Sequence, residues 1–197
     1  MRRRLRTLGG LALATLLAGT PAHATTLIRA GLDALARDNE SVVLGEVKEA
    51  VSYWNADHTF ILTDVRFQAA ETLKGQAEPE ITVTLQGGTV GSRTTLIIGG
   101  PELVPGRSYL LFLNRENLPG SAGALTVRDL CQGVFEIGSA QGQLKAKSQA
   151  TRHPLLPDRS GAVEPPGGKS GISLDTLLSE LRVTLDRQAA EGREVRR

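Results

Sequence analysis

The chain has little of what metal, redox and nucleic-acid chemistry usually draws on. Of 197 residues one is cysteine, three are histidine, and aromatic side chains make up 4%. A lone cysteine, Cys131, excludes a disulfide within the chain and any cysteine-based metal site. His23, His58 and His153 are too few and too scattered for a histidine zinc site, which usually needs three or four protein ligands. The scarcity of aromatics removes the stacking platforms on which single-stranded nucleic acids are held.

Charge of one sign is also missing. The formal net charge is +2, but Arg2, Arg3, Arg4 and Arg6 stand together at the start of the chain. Without residues 1–24, 19 basic residues face 21 acidic ones. A chain so near neutrality has no electrostatic footprint for nucleic acid. The short basic end, "REVRR", reads as a solvated tail.

What is there begins with "MRRRLRTLGGLALATLLAGTPAHA": a basic start, a short apolar run, and the small-residue site Ala22-His23-Ala24. This is the layout of a bacterial secretory signal peptide, and the apolar run falls short of the ~20 residues of a permanent membrane span. Cleavage is expected after Ala24, leaving Thr25 as the mature N-terminus of a periplasmic or secreted protein. No cysteine follows the apolar run to carry a lipid, and the basic cluster lacks the rest of a twin-arginine motif. The remaining length suits one domain with a substantial core.

Periodicity then divides the mature chain. Residues 25–38 carry Leu27, Ile28, Gly31, Leu32 and Leu35 at helical spacing, with Thr25 or Thr26 available as N-cap. From Ser41 the texture is β. Residues 41–54 and 59–75 flank the turn "NADH" as a long hairpin, with Ile61, Thr63, Val65, Phe67 and Ala69 on one face of the second strand. "EITVTLQ" alternates as a third strand, and "TTLIIGG" is a short apolar segment. "RSYLLFLNR" is apolar on both faces, as a central strand is, and "LCQGVFEIG" and "QGQLKAK" follow with "SAQG" as their turn. Strands joined by Gly, Pro and Asn turns without helices between them predict an antiparallel sandwich or barrel.

The predicted organisation is a signal peptide over 1–24, a β-barrel domain with a short N-terminal helix over 25–147, a Pro/Gly-rich linker over 148–172, and a C-terminal helix over 173–197. That helix carries Leu174, Leu177, Leu178, Leu181 and Leu185 on one stripe, with Ser173 as a candidate cap and Asp175 near its positive end.

Two strings imitate phosphate-binding loops. "LQGGTVGSRTTLIIGGPELVPG" has glycines at the wrong spacing for a dinucleotide fingerprint, and a β-like run rather than a helix follows. "GGKS" at 167–170 matches the end of a P-loop, but Val163 stands where the first glycine is required. The glycines are instead expected to supply positive φ angles and bulges at sheet corners.

No catalytic set, metal site or cofactor motif emerges. His58 lies beside Asp57 in the predicted turn, where a polar tip is the simpler reading than a held catalytic base. Glu46, Glu49 and Asp64 lie on predicted strands, which leaves open a hydrolase built on a carboxylate pair. Tyr53 and Trp54, adjacent aromatics at a hairpin tip, are the candidate contact surface, together with Asp57 and His58.

The marks Val43-Leu44-Gly45-Glu46-Val47, Leu73-Lys74-Gly75, and Pro105-Gly106 through Leu113 resemble a group of exported bacterial proteins. Their order also resembles the netrin-like, OB-type barrel of tissue inhibitors of metalloproteinases. The resemblance covers residues 41 to about 138 and implies an antiparallel OB-like β-barrel. Those inhibitors chelate the protease zinc through an N-terminal cysteine, and here Thr25 and Thr26 stand at the expected mature start, so the chelating mechanism does not carry over. What the resemblance implies is an exported, non-enzymatic protein-binding module, a partner or modulator of a secreted protease, with Thr25 and Thr26 as further contact candidates. The competing expectations are a cell-envelope hydrolase using strand carboxylates and a structural or assembly component of the envelope that docks through its leucine stripe.

Overall fold

A computed structural model describes residues 29–128, 130–152 and 166–194. The expected signal peptide with its expected cleavage after Ala24, Thr25, Thr26, His153 and most of the Pro/Gly-rich stretch lie outside the described residues.

The chain runs through a helix α1 (Leu32–Asp38), strands β1 (Ser41–Trp54), β2 (Ile61–Lys74), β3 (Glu80–Gln86), β4 (Gly88–Val90), β5 (Arg93–Thr95), β6 (Ser108–Leu118), β7 (Ser121–Val127), β8 (Val134–Ala140), β9 (Gln143–Ser148) and β10 (Ile172–Ser173), and ends in α2 (Leu174–Glu194). The main sheet is antiparallel with order β10-β9-β8-β6-β1-β2-β3, and β7 pairs with β6; β4 and β5 form a separate small hairpin.

β1 and β2 are long enough to bend, and β1 carries register shifts at Val42/Val43, Leu44/Gly45 and Val47/Glu49. Such bulges sharpen the local twist and let one strand serve two parts of a coiled sheet. The first half of β1 pairs with β6 and its second half continues along β2 alone. The sheet thereby curls until β3 comes into contact range of β7. No ladder joins β3 to β7, so the sheet does not close into a barrel.

Both faces of the curl are buried at its centre. The inner face holds Val43, Val47, Val65, Phe67, Val83, Tyr109, Leu111 and Leu113. The outer face over β6 and β8 holds Leu110, Phe112 and Phe135 under Leu174, Leu177, Leu178 and Leu181 of α2 and Leu35 and Ala36 of α1. β6 is therefore apolar on both sides because it has a core on both sides. The leucine stripe of α2 is core of this chain, with Leu185 packed at its edge.

α1 is shorter than the periodicity of residues 25–38 predicts. Gly31 is extended (φ −77°, ψ 170°) and stands as N-cap with no side-chain cap, so neither Thr25 nor Thr26 begins this helix. The extended entry is tied down by Gln132, whose Oε1 accepts the Ala30 N–H at 2.8 Å. At the other end of α1, Lys74 Nζ donates to the carbonyls of Ala36 (2.7 Å), Arg37 (3.2 Å) and Asn39 (2.6 Å). This cation meets the carbonyls that a helix C-terminus leaves unpaired. Burial pushes the Lys74 ammonium below its ordinary value, against a smaller opposing pull from Asp38.

The predicted turn "SAQG" narrows to Gln141 (φ 54°) and Gly142 (φ 76°), the paired positive angles of a tight hairpin. Among the described residues no helix is long and apolar enough to cross a membrane.

Candidate functional site

The β1–β2 turn begins at Asn55, which is buried at 3% exposure in an otherwise exposed tip. Its Oδ1 accepts the N–H groups of Thr59 (2.9 Å) and Phe60 (3.0 Å), and its Nδ2 donates to Thr59 Oγ1 at 3.1 Å. The same Nδ2 reaches Pro119 O at 3.4 Å, joining this tip to the β6–β7 turn. Gly120 in that turn has φ 76°, and a Cβ there would stand 2.9 Å from Asn55 Cβ, so the two turns meet too closely for a side chain.

The β4–β5 hairpin packs across the same end. Thr63 Oγ1 donates to Gly87 O at 2.7 Å and lies 2.9 Å from Ser52 Oγ, which accepts the Thr89 N–H at 3.3 Å. Gly88 (φ 134°) sits so close over Ser52 and Thr63 that a Cβ would overlap both hydroxyl oxygens. The glycine-rich stretch thus folds a hairpin onto the sheet, and no helix follows it to hold a phosphate.

Of the predicted contact residues, Tyr53, Trp54, Asp57 and His58 stand at this end but face different ways. Trp54 stacks on the His58 imidazole, with ring centroids 6.3 Å apart and 30° between planes. Tyr53, one residue earlier and so on the opposite face, donates from Oη to Asp64 Oδ1 at 3.2 Å. That oxygen also accepts Thr84 Oγ1 at 2.7 Å. Burial first, and the Asp64 charge second, push the Tyr53 hydroxyl above its ordinary value. His58 adopts φ 52° at the tip, Asp57 is exposed, and the two make no hydrogen bond or ion pair with each other.

Each strand carboxylate has partners of its own. Glu46 pairs with Lys48 at 2.8 Å, Glu49 with Arg66 at 3.2 Å, and Asp64 with Tyr53 and Thr84. Among the described residues no group of three or more His, Cys, Asp or Glu side chains is placed to hold a metal ion. Cys131 is buried beside Ala150, and burial raises its thiol above the ordinary value.

The site includes residues that the sequence reading did not single out. Thr95 pairs with Gly88, so the chain leaves β5 at this same end and exposes Leu96 (79%) and Ile98 (63%) in the loop beyond. Both lie in the run "TTLIIGG", whose apolar character alone does not tell an exposed loop from a strand. Isolated exposed apolar residues are ordinary, but here two stand within three positions of one loop. Comparison with known proteins finds no matching family model and no matching curated protein.

Proposed function

We propose that this chain is an exported, non-enzymatic protein-binding module that meets its partner through the end of the sheet carrying Trp54, His58, Leu96 and Ile98. The observation that carries the reading is the combination of these apolar and aromatic side chains with a hydrogen-bonded frame around Asn55, Ser52 and Thr63. Pre-ordered aromatic and aliphatic anchors supply contact area with little entropy to lose on binding. Tyr53 and Asp57 belong to the same proposal as neighbouring contacts, and Thr25 and Thr26 are carried into it from the sequence alone.

The basic start, apolar run and small-residue site of residues 1–24 support export to the periplasm or beyond. The strand order β3-β2-β1-β6-β7 supports an OB-like, netrin-like arrangement whose last seam is unpaired. A secreted protease is the partner class that this resemblance favours. The separate engagement of Glu46, Glu49 and Asp64 counts against the carboxylate-pair hydrolase, and the burial of the leucine stripe counts against its use as an external docking face.

The test is binding of the mature chain to proteins of the native exported fraction, compared with a Trp54→Ala/Leu96→Ser/Ile98→Ser variant whose circular dichroism matches the parent. The reading expects the partner held by the parent to be lost by the variant. Equal capture by both chains refutes this surface.

A further inference from the structure

We propose that the stacked pair of Trp54 and His58 makes the exposed end of the sheet responsive to protons: acid places a charge on the surface that meets the partner, and the partner is released. The inference deepens the reading of this end as the binding surface and rests on it.

The backbone sets the pair. Trp54 ends β1, and His58 stands four residues on in the turn, where its N–H donates to Asn55 O at 2.9 Å and its φ is 52°. Asn55 is buried and takes the Thr59 and Phe60 N–H groups on its side-chain oxygen, so the turn is held from within. The imidazole lies on the indole with ring centroids 6.3 Å apart and 30° between planes. Trp54 is half-buried and His58 exposed, so protons reach the imidazole from solvent.

No carboxylate of the fold is engaged with that imidazole. Asp57 is its exposed neighbour in the turn and makes no ion pair with it. Towards this end β1 and β2 carry Glu49 and Arg66, paired at 3.2 Å, and Asp64, which accepts hydrogen bonds from Tyr53 and Thr84. β5 carries Arg93, and β6 carries Glu116, 3.8 Å from Arg128. A proton taken up by His58 therefore adds a charge that no bonded partner within the fold cancels.

Imidazole is the side chain that ordinarily changes charge between about pH 5 and 8. Neutral, it extends the aromatic face of Trp54, and a partner that covers the indole also covers the ring stacked on it. Protonated, it gains attraction from the face of the indole, but that gain is small at an exposed site. Covering the cation strips water from it, which costs more than the attraction returns when the partner's own face is apolar. Binding and protonation thus oppose each other, and by linkage affinity falls as pH falls.

Trp54 is the single tryptophan of the chain and reports on the pair directly. An imidazolium in contact quenches indole emission, so emission of the mature chain should fall on acidification along one sigmoid within about pH 8 to 5. His58→Asn suits the left-handed backbone and should flatten that curve, whereas His153→Gln should leave it as it is. The second measurement is retention of a protein captured from the native exported fraction, at about pH 7.5 and about pH 5.5. The parent chain is expected to hold it at least about fivefold less tightly at the lower pH. In His58→Asn, whatever its affinity, the ratio between the two pH values should fall toward one. An emission curve that is flat in the parent, or unchanged in His58→Asn, overturns the proposal. A partner held equally by the parent at both pH values removes the switch and leaves the binding surface standing. A chain that captures nothing at either pH overturns the reading of the surface, and the proposed release with it.

Discussion

Asn55 and Thr59 close the β1–β2 hairpin on itself: the Asn55 side-chain oxygen accepts the Thr59 N–H at 2.9 Å while its amide donates to the Thr59 hydroxyl at 3.1 Å. One buried amide thus fixes the tip that presents Trp54 and His58. Asn55→Ala leaves the Thr59 and Phe60 N–H groups without their acceptor, and is expected to lower stability by about 1–3 kcal/mol. Chemical denaturation measures the loss. Exchange of the Thr59 and Phe60 amides should quicken in the same variant.

Gly88 permits the β4–β5 hairpin to lie on Ser52 and Thr63. Gly88→Ala places a methyl group on two hydroxyl oxygens at a φ of 134°, and should cost about 1–3 kcal/mol while freeing the loop that carries Leu96 and Ile98. Limited proteolysis in that loop is the direct readout. Unchanged proteolysis would mean that the hairpin is held by something other than this contact.

Lys74 holds the end of α1 by three carbonyl contacts. Lys74→Met keeps the stem and removes the charge, and is expected to destabilise the fold by about 2 kcal/mol, the scale of hydrogen bonds to a charged group. The loss should be concentrated in α1, seen as faster exchange of its amides with the sheet unaffected.

Stability should fall as pH rises above 9 to 10. Burial raises Tyr109 above its ordinary 10.0 and Cys131 above its ordinary 9.0, and burial with the Asp64 charge raises Tyr53. As pH passes those ordinary values the unfolded chain releases protons that the folded chain still holds. The folded state then binds more protons, so unfolding becomes more favourable with pH. Lys74, lowered in the fold, acts in the opposite sense below 10.5. Tyr109 is the most enclosed of these groups at 1% exposure, and its Oη accepts the Val104 N–H at 3.0 Å. Tyr109→Phe should lower stability at neutral pH and flatten the alkaline decline; denaturation midpoints between pH 8 and 11 check both.

Much of the fold was legible where one periodicity dominated. β1, β2, β3 and β6 stand where alternation or double-sided apolarity placed them, because the inner core and the helix-covered face each impose their own pattern. β7 was not legible: "SAGALTV" is mostly small residues, and its pairing with β6 follows from the Pro119-Gly120 turn rather than from a hydrophobic pattern. β10 is two residues set by pairing with β9, and no local signal marks so short a strand. The start of the N-terminal helix was set too early because Leu and Ile at helical spacing outweighed Gly31, whose extended backbone stands as the N-cap from which α1 begins. At the candidate site, Tyr53 and Trp54 were visible as rare aromatics. Leu96 and Ile98 were not, since exposure depends on a hairpin crossing the sheet from far along the chain. Asn55 carried a readable cue, an Asn opening a short turn between two strands, and its contact with Pro119 lay beyond any local reading.

The most direct measurement is capture by the mature chain, started at Thr25, from the native exported fraction, run beside the Trp54→Ala/Leu96→Ser/Ile98→Ser variant and followed by an activity assay on what binds. A stoichiometric exported protein is expected on the parent chain, with about a thirtyfold or greater loss of affinity in the variant, as for central interface anchors. A protein held equally by both chains, or substrate turnover by the purified chain that a single polar substitution abolishes, would contradict it.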